Sequence, residues 1–401
     1  MEKFSVLKKD LEKALAIIVL ATEKSSENIK SHALFDVSEK NKAVLYSTDE
    51  DRVAMAVVPF VGETGTFQFT MDPKRMQSLV NNSDSDKIEF TYDQENMTLN
   101  VYASEDTQAY VSFASFSPKE FTQFSEELSK ATVKKSINTT VLKTGLKFIQ
   151  GFLANDDKSK FSNLFISNGV MYGSNGTFRI GAFRNPSLDN IEATVLRRAM
   201  LSALTTMLDK IDEENVLLKE SEKYVVFAYS ENLEVAEKIS SKDMYCFGFK
   251  KSTHTMPKMP VSLDTPTTDG INITKSLVLK KLNRFALTFF LEDIGVKMSL
   301  KENELTMQTL ADRKSLEKLT CKRLGTLEGD RNFVVECNKF KEIINLFQAP
   351  DIDLYVDDVK CTFYSDASIV IENKDKDTVT IPFTAIGFLT LPNLLGDKPN
   401  D

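Results

Sequence analysis

The sequence predicts an α+β fold in which one module, two helices packed on an antiparallel sheet, occurs three times. A helix, a hairpin, a second helix and a further pair of strands recur with a period of about 130 residues. The expected strands alternate polar and apolar residues, which is typical of a sheet with one face in water and the other covered by helices. Positive charge is concentrated on the helices. The predicted modules span residues 1–128, 129–255 and 256–401.

The first module begins with an amphipathic helix. Apolar residues between Leu7 and Ile18 fall at three- and four-residue spacing, which predicts a helix from about Lys8 to Glu23. Asp72 and Pro73 are a favourable N-cap and first-turn pair for a second helix. The strands of this module are predicted at residues 33–38, 43–47, 52–57, 87–92 and 97–102.

The second and third modules repeat this order. In the second module, helices are predicted near residues 141–153 and 193–211. The third module follows a proline- and threonine-rich stretch at residues 256–268, with helices near residues 273–290 and 336–347. The strands of both modules are predicted at residues 164–166, 170–172, 215–218, 224–229, 296–300, 304–309, 352–356, 360–364, 367–372 and 378–383.

The composition excludes several classes of protein. The amino terminus leads straight into a charged amphipathic segment and no run of roughly 18 apolar residues occurs, so we expect a cytoplasmic protein without a signal peptide or membrane span. Zinc sites and cysteine–histidine nucleophile pairs are not predicted, because the cysteines lack CxxC spacing and only two histidines occur. We expect four buried free thiols, at Cys246, Cys321, Cys337 and Cys361.

The net charge of −8 by itself argues against a nucleic-acid partner, but the charge is distributed unevenly along the chain. The six predicted helices, taken as residues 8–24, 72–81, 140–153, 193–211, 273–291 and 336–347, carry charges of +1, +1, +2, +2, +4 and 0. They total +10, so the rest of the chain carries −18. If the helices share one surface, that surface attracts a polyanion while the remainder repels it.

Basic residues occur at the start of the second helix of each module. Lys74 and Arg75, Arg197 and Arg198, and Lys339 with Lys341 hold these positions, where the helix dipole favours acids. A phosphate-facing role would explain the mismatch. The predicted DNA-binding residues are Lys8, Lys9, Lys13, Lys24, Lys74, Arg75, Lys143, Lys147, Arg197, Arg198, Lys275, Lys280, Lys281, Arg284 and Lys339.

Three segments, residues 72–76 (DPKRM), 174–180 (SNGTFRI) and 379–383 (VTIPF), give the chain a resemblance to a known family. The sequence resembles the bacterial sliding clamp, the beta subunit of DNA polymerase III, in the order and local pattern of all three modules. The resemblance implies a homodimer closed head-to-tail into a ring, with sheets outside and helices lining the hole. It also implies double-stranded DNA, a DNA polymerase, a clamp loader and other clamp-binding proteins as partners. A bacteriophage version of the family is one possible origin.

The resemblance also implies two further sites. A dimer interface would involve Val111, Phe113, Leu287 and Phe289. A pocket for partner peptides would be lined by Phe178, Arg179, Ile180, Pro257, Asn338, Lys341, Ile369, Ile381, Pro382 and Phe383. The sequence departs from the family in a turn one residue longer at residues 176–179 and in continuing past Phe383. The apolar residues 387–395 either pack partly into this pocket or pack on the surface.

Other functions stay open at this point. A monomeric DNA-binding processivity factor would have the same modules and the same charge distribution. A structural or virion protein built from repeated sheets would need no basic helices. An enzyme could use the acidic residues 49–51 or 357–358 as metal ligands, but these lie at predicted turns, where solvated acids are common. We expect no enzymatic activity and no cofactor.

Overall fold

The order of helices and strands repeats three times along the described part of the chain. The computed structural model describes residues 2–23, 28–62, 65–104, 108–121, 128, 130–156, 159–211, 213–230, 243–254, 270–288, 295–310, 315–325, 331–357, 360–372 and 378–391. The first copy consists of β1 (Glu2–Leu7), α1 (Lys8–Ile18), β2 (Ala33–Glu39), β3 (Lys42–Thr48), β4 (Arg52–Pro59), β5 (Phe67–Met71), α2 (Pro73–Asn81), β6 (Lys87–Asp93), β7 (Thr98–Tyr102) and β8 (Val111–Ala114).

The later copies keep this order, with one extra short strand in the third. The second copy consists of β9 (Thr132–Asn138), α3 (Thr139–Gln150), β10 (Asn163–Ser167), β11 (Val170–Ser174), β12 (Arg179–Arg184), β13 (Thr194–Arg197), α4 (Arg198–Lys210), β14 (Asn215–Glu220), β15 (Tyr224–Ser230) and β16 (Asp243–Lys250). The third consists of β17 (Gly270–Thr274), α5 (Lys275–Thr288), β18 (Gly295–Lys301), β19 (Glu304–Thr309), β20 (Leu316–Thr320), β21 (Lys322–Leu324), β22 (Arg331–Glu336), α6 (Cys337–Leu346), β23 (Asp351–Val356), β24 (Lys360–Glu372) and β25 (Thr378–Thr390).

Two helices begin later than the sequence predicted. Residues 194–197 form β13 instead of the first turn of α4, and residues 270–274 form β17 before α5. Both segments contain β-branched residues and pair along their length with a neighbouring strand, β13 with β10 and β17 with β23. Strand pairing and β-branching therefore outweigh the helical spacing at these ends.

The chain divides into two compact units. The first comprises Met1–Thr139 and Ala199–Thr253, and the second comprises Thr140–Arg198 and His254–Asp401. The first unit has a four-stranded sheet, β1-β6-β7-β8, and an eight-stranded sheet, β5-β2-β3-β4-β16-β15-β14-β9. The second has a nine-stranded sheet, β13-β10-β11-β12-β25-β24-β23-β17-β21, and a four-stranded sheet, β20-β19-β18-β22. The module boundaries at residues 128 and 255 stay a prediction.

Each large sheet contains one junction between strands of successive copies. In the first unit β4 pairs antiparallel with β16, and in the second β12 pairs antiparallel with β25. Residues 384–389 of β25 form the second junction, and Phe388 and Leu389 are buried. The residues just after Phe383 are thus a central strand. The expectation that residues from Gly387 onward pack into a pocket or on the surface is wrong for Gly387–Thr390, while residues 392–395 lie outside the described part.

Two glycines allow α3 to reach this second junction. Gly181 of β12 and Gly387 of β25 lie directly opposite each other. A Cβ on Gly181 would lie 2.3 Å from Cδ2 of Phe152, and one on Gly387 would lie 3.1 Å from Cζ of the same ring. Phe152, just beyond the end of α3, is fully buried against both glycines, because neither has a side chain in its way.

An aromatic core joins the two sheets of the first unit. Phe4 of β1 stacks on Phe90 of β6 with 4.8 Å between ring centroids, and Phe35 of β2 stacks on Phe69 of β5 at 4.8 Å. Phe4 also contacts Phe69 at 6.3 Å, so the two pairs form one cluster. All four cysteines are buried free thiols, as predicted. Among the described residues, no helix is long and apolar enough to cross a membrane.

Candidate DNA-facing helices, peptide pocket and sheet edges

The positive charge of the chain lies on its helices, as predicted. With the observed bounds, α1 to α6 carry +1, +2, +2, +1, +4 and +1. The total of +11 leaves −19 on the remainder of the chain. The structure therefore retains the partition that points to a polyanion, although several of the helix ends differ from those predicted.

The basic residues at the helix starts of the first unit have partners within the protein. The helices α1 and α2 are antiparallel, so the start of each lies beside the end of the other. Lys8 Nζ donates a hydrogen bond to the carbonyl oxygen of Ser83, beyond the end of α2, at 2.8 Å. Lys74 Nζ donates to the carbonyl oxygen of Glu23, beyond the end of α1.

The second unit repeats this arrangement. Lys275, the first residue of α5, donates from Nζ to the carbonyl oxygens of Asn345, at 3.2 Å, and Phe347 at the end of α6. Burial lowers the pKa of Lys275. Arg198, the first residue of α4, donates from NH1 to the carbonyl oxygens of Leu153 at 3.2 Å and Ala154 at 3.0 Å.

These hydrogen bonds explain the basic residues that the helix dipole disfavours. Carbonyl groups at or just beyond a helix end lack intrahelical donors and carry partial negative charge. A cation at the start of one antiparallel helix therefore satisfies the end of its neighbour, without a phosphate being needed. Four of the predicted DNA-binding residues, Lys8, Lys74, Arg198 and Lys275, hold the helices in place in this way.

The other predicted DNA-binding residues that the structure describes fall into three groups. Lys9, Lys147 and Lys280 are exposed, and so is Arg75, whose Nε lies 3.4 Å from Asp72 Oδ2. Lys13 lies over the Tyr245 ring, 5.1 Å from its centroid, and Lys143 and Arg197 are half-buried. Lys281 and Arg284 pair with Glu317, Lys339 pairs with Glu336, and Lys24 lies outside the described residues.

One part of the predicted peptide pocket is assembled around Phe178. Lys339 Nζ lies 4.5 Å from the centroid of the Phe178 ring, and the Arg179 guanidinium lies 5.5 Å from it. Arg179 NH1 donates to Glu342 Oε2 of α6 at 2.8 Å. Thr390 N, at the end of β25, donates to the carbonyl oxygen of Phe178 at 2.8 Å. A half-buried aromatic ring here lies among cations and the end of the junction strand.

The rest of the predicted pocket lies at the opposite end of β12. Asn185 Nδ2 donates to the carbonyl oxygen of Pro382 at 2.8 Å, and Phe383 stacks on Phe183 with 5.0 Å between centroids. Pro382 and Thr390 are eight residue steps apart along an extended strand, which corresponds to about 27 Å. A concavity of 550 Å³ lined partly by Pro382 and Phe383 lies at this end.

The structure therefore separates the residues predicted to form one pocket. Phe178, Arg179 and Ile180 lie at one end of β12, whereas Ile369 faces Ile381 across the β24–β25 hairpin at the other. Asn338 is exposed and Lys341 half-buried on α6, and Pro257 lies outside the described residues. The separation arises because β25 runs on to Thr390, past the end of the strand predicted at residues 378–383.

Sequence reasoning missed Glu342, Leu389 and Thr390 beside Phe178. A signal for β25 was present, because extended apolar residues continue from Phe383 through Phe388 and Leu389 without a turn signal. Glu342 had no local signal, since its role depends on α6 lying next to the start of β12.

Two four-stranded sheets each present an open edge strand with exposed apolar residues. On β8, Val111 is 44% exposed, and the neighbouring Phe116 is also exposed. On β20, Leu316 is 57% exposed. Of the predicted interface residues, Val111 and Phe113 line a concavity of 430 Å³ beside β8, together with His32 and Arg75. The Leu287 side chain and Phe289 lie outside the described residues.

The acidic clusters considered as metal ligands are engaged in turns. Asp49 accepts hydrogen bonds from the backbone and side chain of Arg52, and Glu50 pairs with Lys30 at 2.7 Å. Asp357 lies 4.0 Å from Lys360, and Asp358 lies outside the described residues. Within the described ranges, no group of three or more His, Cys, Asp or Glu residues could hold a metal ion.

Solved structures of bacterial sliding clamps have the same fold. A DNA polymerase III beta subunit from Thermotoga maritima is 14% identical, with a TM-score of 0.73, over 98% of this chain and 99% of that chain. A sliding clamp from Pseudomonas aeruginosa bound to griselimycin is 12% identical, with a TM-score of 0.75 and coverage of 98% and 99%. A sliding clamp from Caulobacter crescentus is 12% identical, with a TM-score of 0.73 and coverage of 98% and 100%.

No protein-family model and no curated protein sequence matches the chain. The structural likeness extends along nearly the whole length of this chain and of each of these clamps. The predicted α+β clamp fold is confirmed, and at this low sequence identity the likeness concerns the fold.

Proposed function

We propose that the protein is a sliding clamp, a DNA polymerase processivity factor that encircles duplex DNA. The observation that carries the proposal is the clamp fold, which covers 98% of the chain and is shared with DNA polymerase III beta subunits. A clamp catalyses no reaction. It holds the polymerase beside DNA and thereby raises the effective concentration of the polymerase at the primer end.

The repeated strand junctions support the proposal that the ring closes. Counted along the chain, the fourth strand of a copy is β4 in the first copy, β12 in the second and β20 in the third. In the first two cases it pairs with the last strand of the next copy, β16 or β25. Among the described strands, β20 has no such partner in its sheet, and neither does β8, the last strand of the first copy. Pairing of β20 with β8 of a second copy would make the same junction, and two such junctions close a ring.

The exposed apolar residues support this pairing. Met55, Cys246, Ala182 and Ile386 lie on strands of the two existing junctions and are buried. Val111 and Leu316 are exposed on the two open edges. Leaving apolar side chains on an open strand edge in contact with water costs free energy, which favours an interface at these edges.

Contact with DNA would use the exposed helix cations. Lys9, Arg75, Lys147 and Lys280 are exposed long side chains that can neutralise phosphates, while the acidic remainder of the chain repels DNA. Phosphate contacts carry no sequence information, which permits sliding. Partner proteins such as a polymerase and a clamp loader would bind by short peptides at the apolar and cationic surface around Phe178.

Topological retention on DNA tests the ring. The dimer is dissociated by dilution, allowed to reassociate with covalently closed duplex plasmid, and separated from unbound protein by gel filtration. We expect part of the protein to elute with the circular plasmid in about 200 mM salt and to be lost after one restriction cut, because a closed ring can leave only over a DNA end. Equal loss from circular and cut plasmid would contradict encirclement.

Substitutions at the open edges test closure of the ring directly. Val111→Glu and Leu316→Glu each place a charge in the proposed β8–β20 junction, and we expect both to shift the mass from dimer to monomer in mass photometry. Val370→Glu, on an exposed strand residue outside both edges, is the matched control and should stay dimeric. A wild-type protein that is monomeric at all concentrations but still binds duplex DNA would instead favour the monomeric processivity factor.

A further inference from the structure

Helix α5 is the most positively charged helix, yet most of its cations have partners within the protein. It carries four basic residues and no acidic one. Lys275 donates to carbonyl groups at the end of α6, and Lys281 and Arg284 pair with one carboxylate on β20. Of the four, Lys280 alone is exposed without any of these contacts. The charge that α5 can offer to DNA is therefore lower than its sequence indicates.

The carboxylate is that of Glu317. Its Oε2 lies 2.9 Å from Lys281 Nζ, and its Oε1 lies 3.0 Å from Arg284 NH1, so each oxygen accepts from a different cation. The Glu317 side chain is 17% exposed, although its neighbours Leu316 and Lys318 on the same edge strand are exposed. The two hydrogen bonds hold the pKa of Glu317 below its ordinary value, so the carboxylate is charged at neutral pH.

We propose that Glu317 is an intramolecular competitor of DNA phosphate, which occupies Lys281 and Arg284 and sets the affinity of α5 for the duplex. This inference rests on the proposed function. A carboxylate bridging an ammonium and a guanidinium offers two charged oxygen acceptors, as a phosphate does. Glu317 occupies Lys281 Nζ and Arg284 NH1, so a phosphate that takes the same donors must displace it, and each such contact contributes less net affinity. Weak contacts suit a protein that must move along DNA after it has been loaded.

The competitor also belongs to the strand proposed to close the ring. Glu317 lies on β20, so displacement of its carboxylate by phosphate would release the contact between α5 and this edge strand. DNA binding would then weaken the α5–β20 contact. By thermodynamic linkage, this contact would weaken DNA binding by the same coupling free energy.

The test compares two substitutions of equal charge. Glu317→Gln removes the carboxylate that pairs with Lys281 and Arg284, whereas Glu304→Gln removes the one that contacts Lys318 at 2.8 Å between strands β19 and β20. Both variants gain one unit of positive charge, so general attraction of DNA changes equally. Affinity for a short fluorescein-labelled duplex is measured by anisotropy between about 50 and 200 mM salt. Circular dichroism and thermal melting check that both variants fold.

We expect Glu317→Gln to bind the duplex about threefold to tenfold more tightly than the wild type. The slope of log affinity against log salt concentration should be steeper by about one to two. Glu304→Gln should stay within about twofold. In a Lys281→Gln, Arg284→Gln background, Glu317→Gln should have no effect, because the cations it frees are gone. Unchanged affinity of Glu317→Gln, or an equal gain in Glu304→Gln, overturns the inference and leaves the proposed function standing. Absence of duplex binding by both the wild type and Glu317→Gln at every salt concentration also overturns the inference, whereas the proposed function is decided separately by retention on circular plasmid.

Discussion

Lysines 275 and 280 of α5 have the same charge but different expected roles, which a pair of substitutions separates. Each of Lys275→Met and Lys280→Met removes one positive charge and keeps an unbranched side chain of similar length. Lys275 donates to the carbonyl oxygens of Asn345 and Phe347, whereas Lys280 is exposed. The first substitution should therefore affect stability and the second DNA binding.

The size of the stability effect follows from the hydrogen bonds that are lost. Hydrogen bonds from a charged donor contribute about 1.5–3 kcal/mol when buried, and the partial exposure of Lys275 places its contribution nearer about 1–2 kcal/mol. For a unit of about 200 residues, with an unfolding entropy of about 0.4 kcal/mol/K, the melting temperature should fall by about 2–5 °C. Lys280→Met should change stability by less than about 0.5 kcal/mol.

Scanning calorimetry and the salt dependence of duplex binding measure the two effects. Lys280→Met should lower the magnitude of the slope of log affinity against log salt by about one, because one phosphate contact is lost. Lys275→Met should leave that slope within experimental error. If Lys275→Met melts like the wild type and loses as much affinity as Lys280→Met, the assignment of Lys275 to the end of α6 is refuted.

Two further predictions concern His32 and the end of β25. Burial lowers the pKa of His32 below its ordinary value of 6.5, so the unfolded chain binds a proton more readily than the folded one, and stability should fall as the pH drops through 6.5. Urea unfolding between about pH 8 and about pH 5 should show a smaller loss for His32→Gln than for the wild type, and equal losses would contradict this. Deletion from Gly387 removes half of the β12–β25 pairing and should yield insoluble protein, whereas deletion from Pro392 leaves every described strand pair intact. Similar melting curves for both truncations would show that the junction strand is dispensable.

The sequence alone determined the fold class and the location of the charge. Apolar spacing identified the six helices of the described residues, because a helix with one buried face requires that period. Alternation of polar and apolar residues identified most of the strands, because successive side chains of a strand point to opposite faces of the sheet. The charge partition needed no structure either, since it depends only on which element carries each Lys or Arg.

Helix ends were less predictable. Arg197 lies in β13 and not in α4, because residues 194–197 pair with β10, from which they are separated by a long stretch of chain. Local propensity carries no information about such a distant partner. Strand pairing decides the conformation where the local preference is weak.

The tertiary structure decided what the site residues do. Lys8, Lys74 and Lys275 were predicted to contact phosphate, but each donates a hydrogen bond to the end of the neighbouring helix. The predicted pocket divides in two because the register of β25 against β12 puts Pro382 and Thr390 at opposite ends of one junction. Periodicity in a sequence fixes which face of an element is buried, but not which distant residue lies against that face. The fold class therefore follows from local pattern, whereas the partners of a charge or an aromatic ring follow from contacts between residues far apart in the chain.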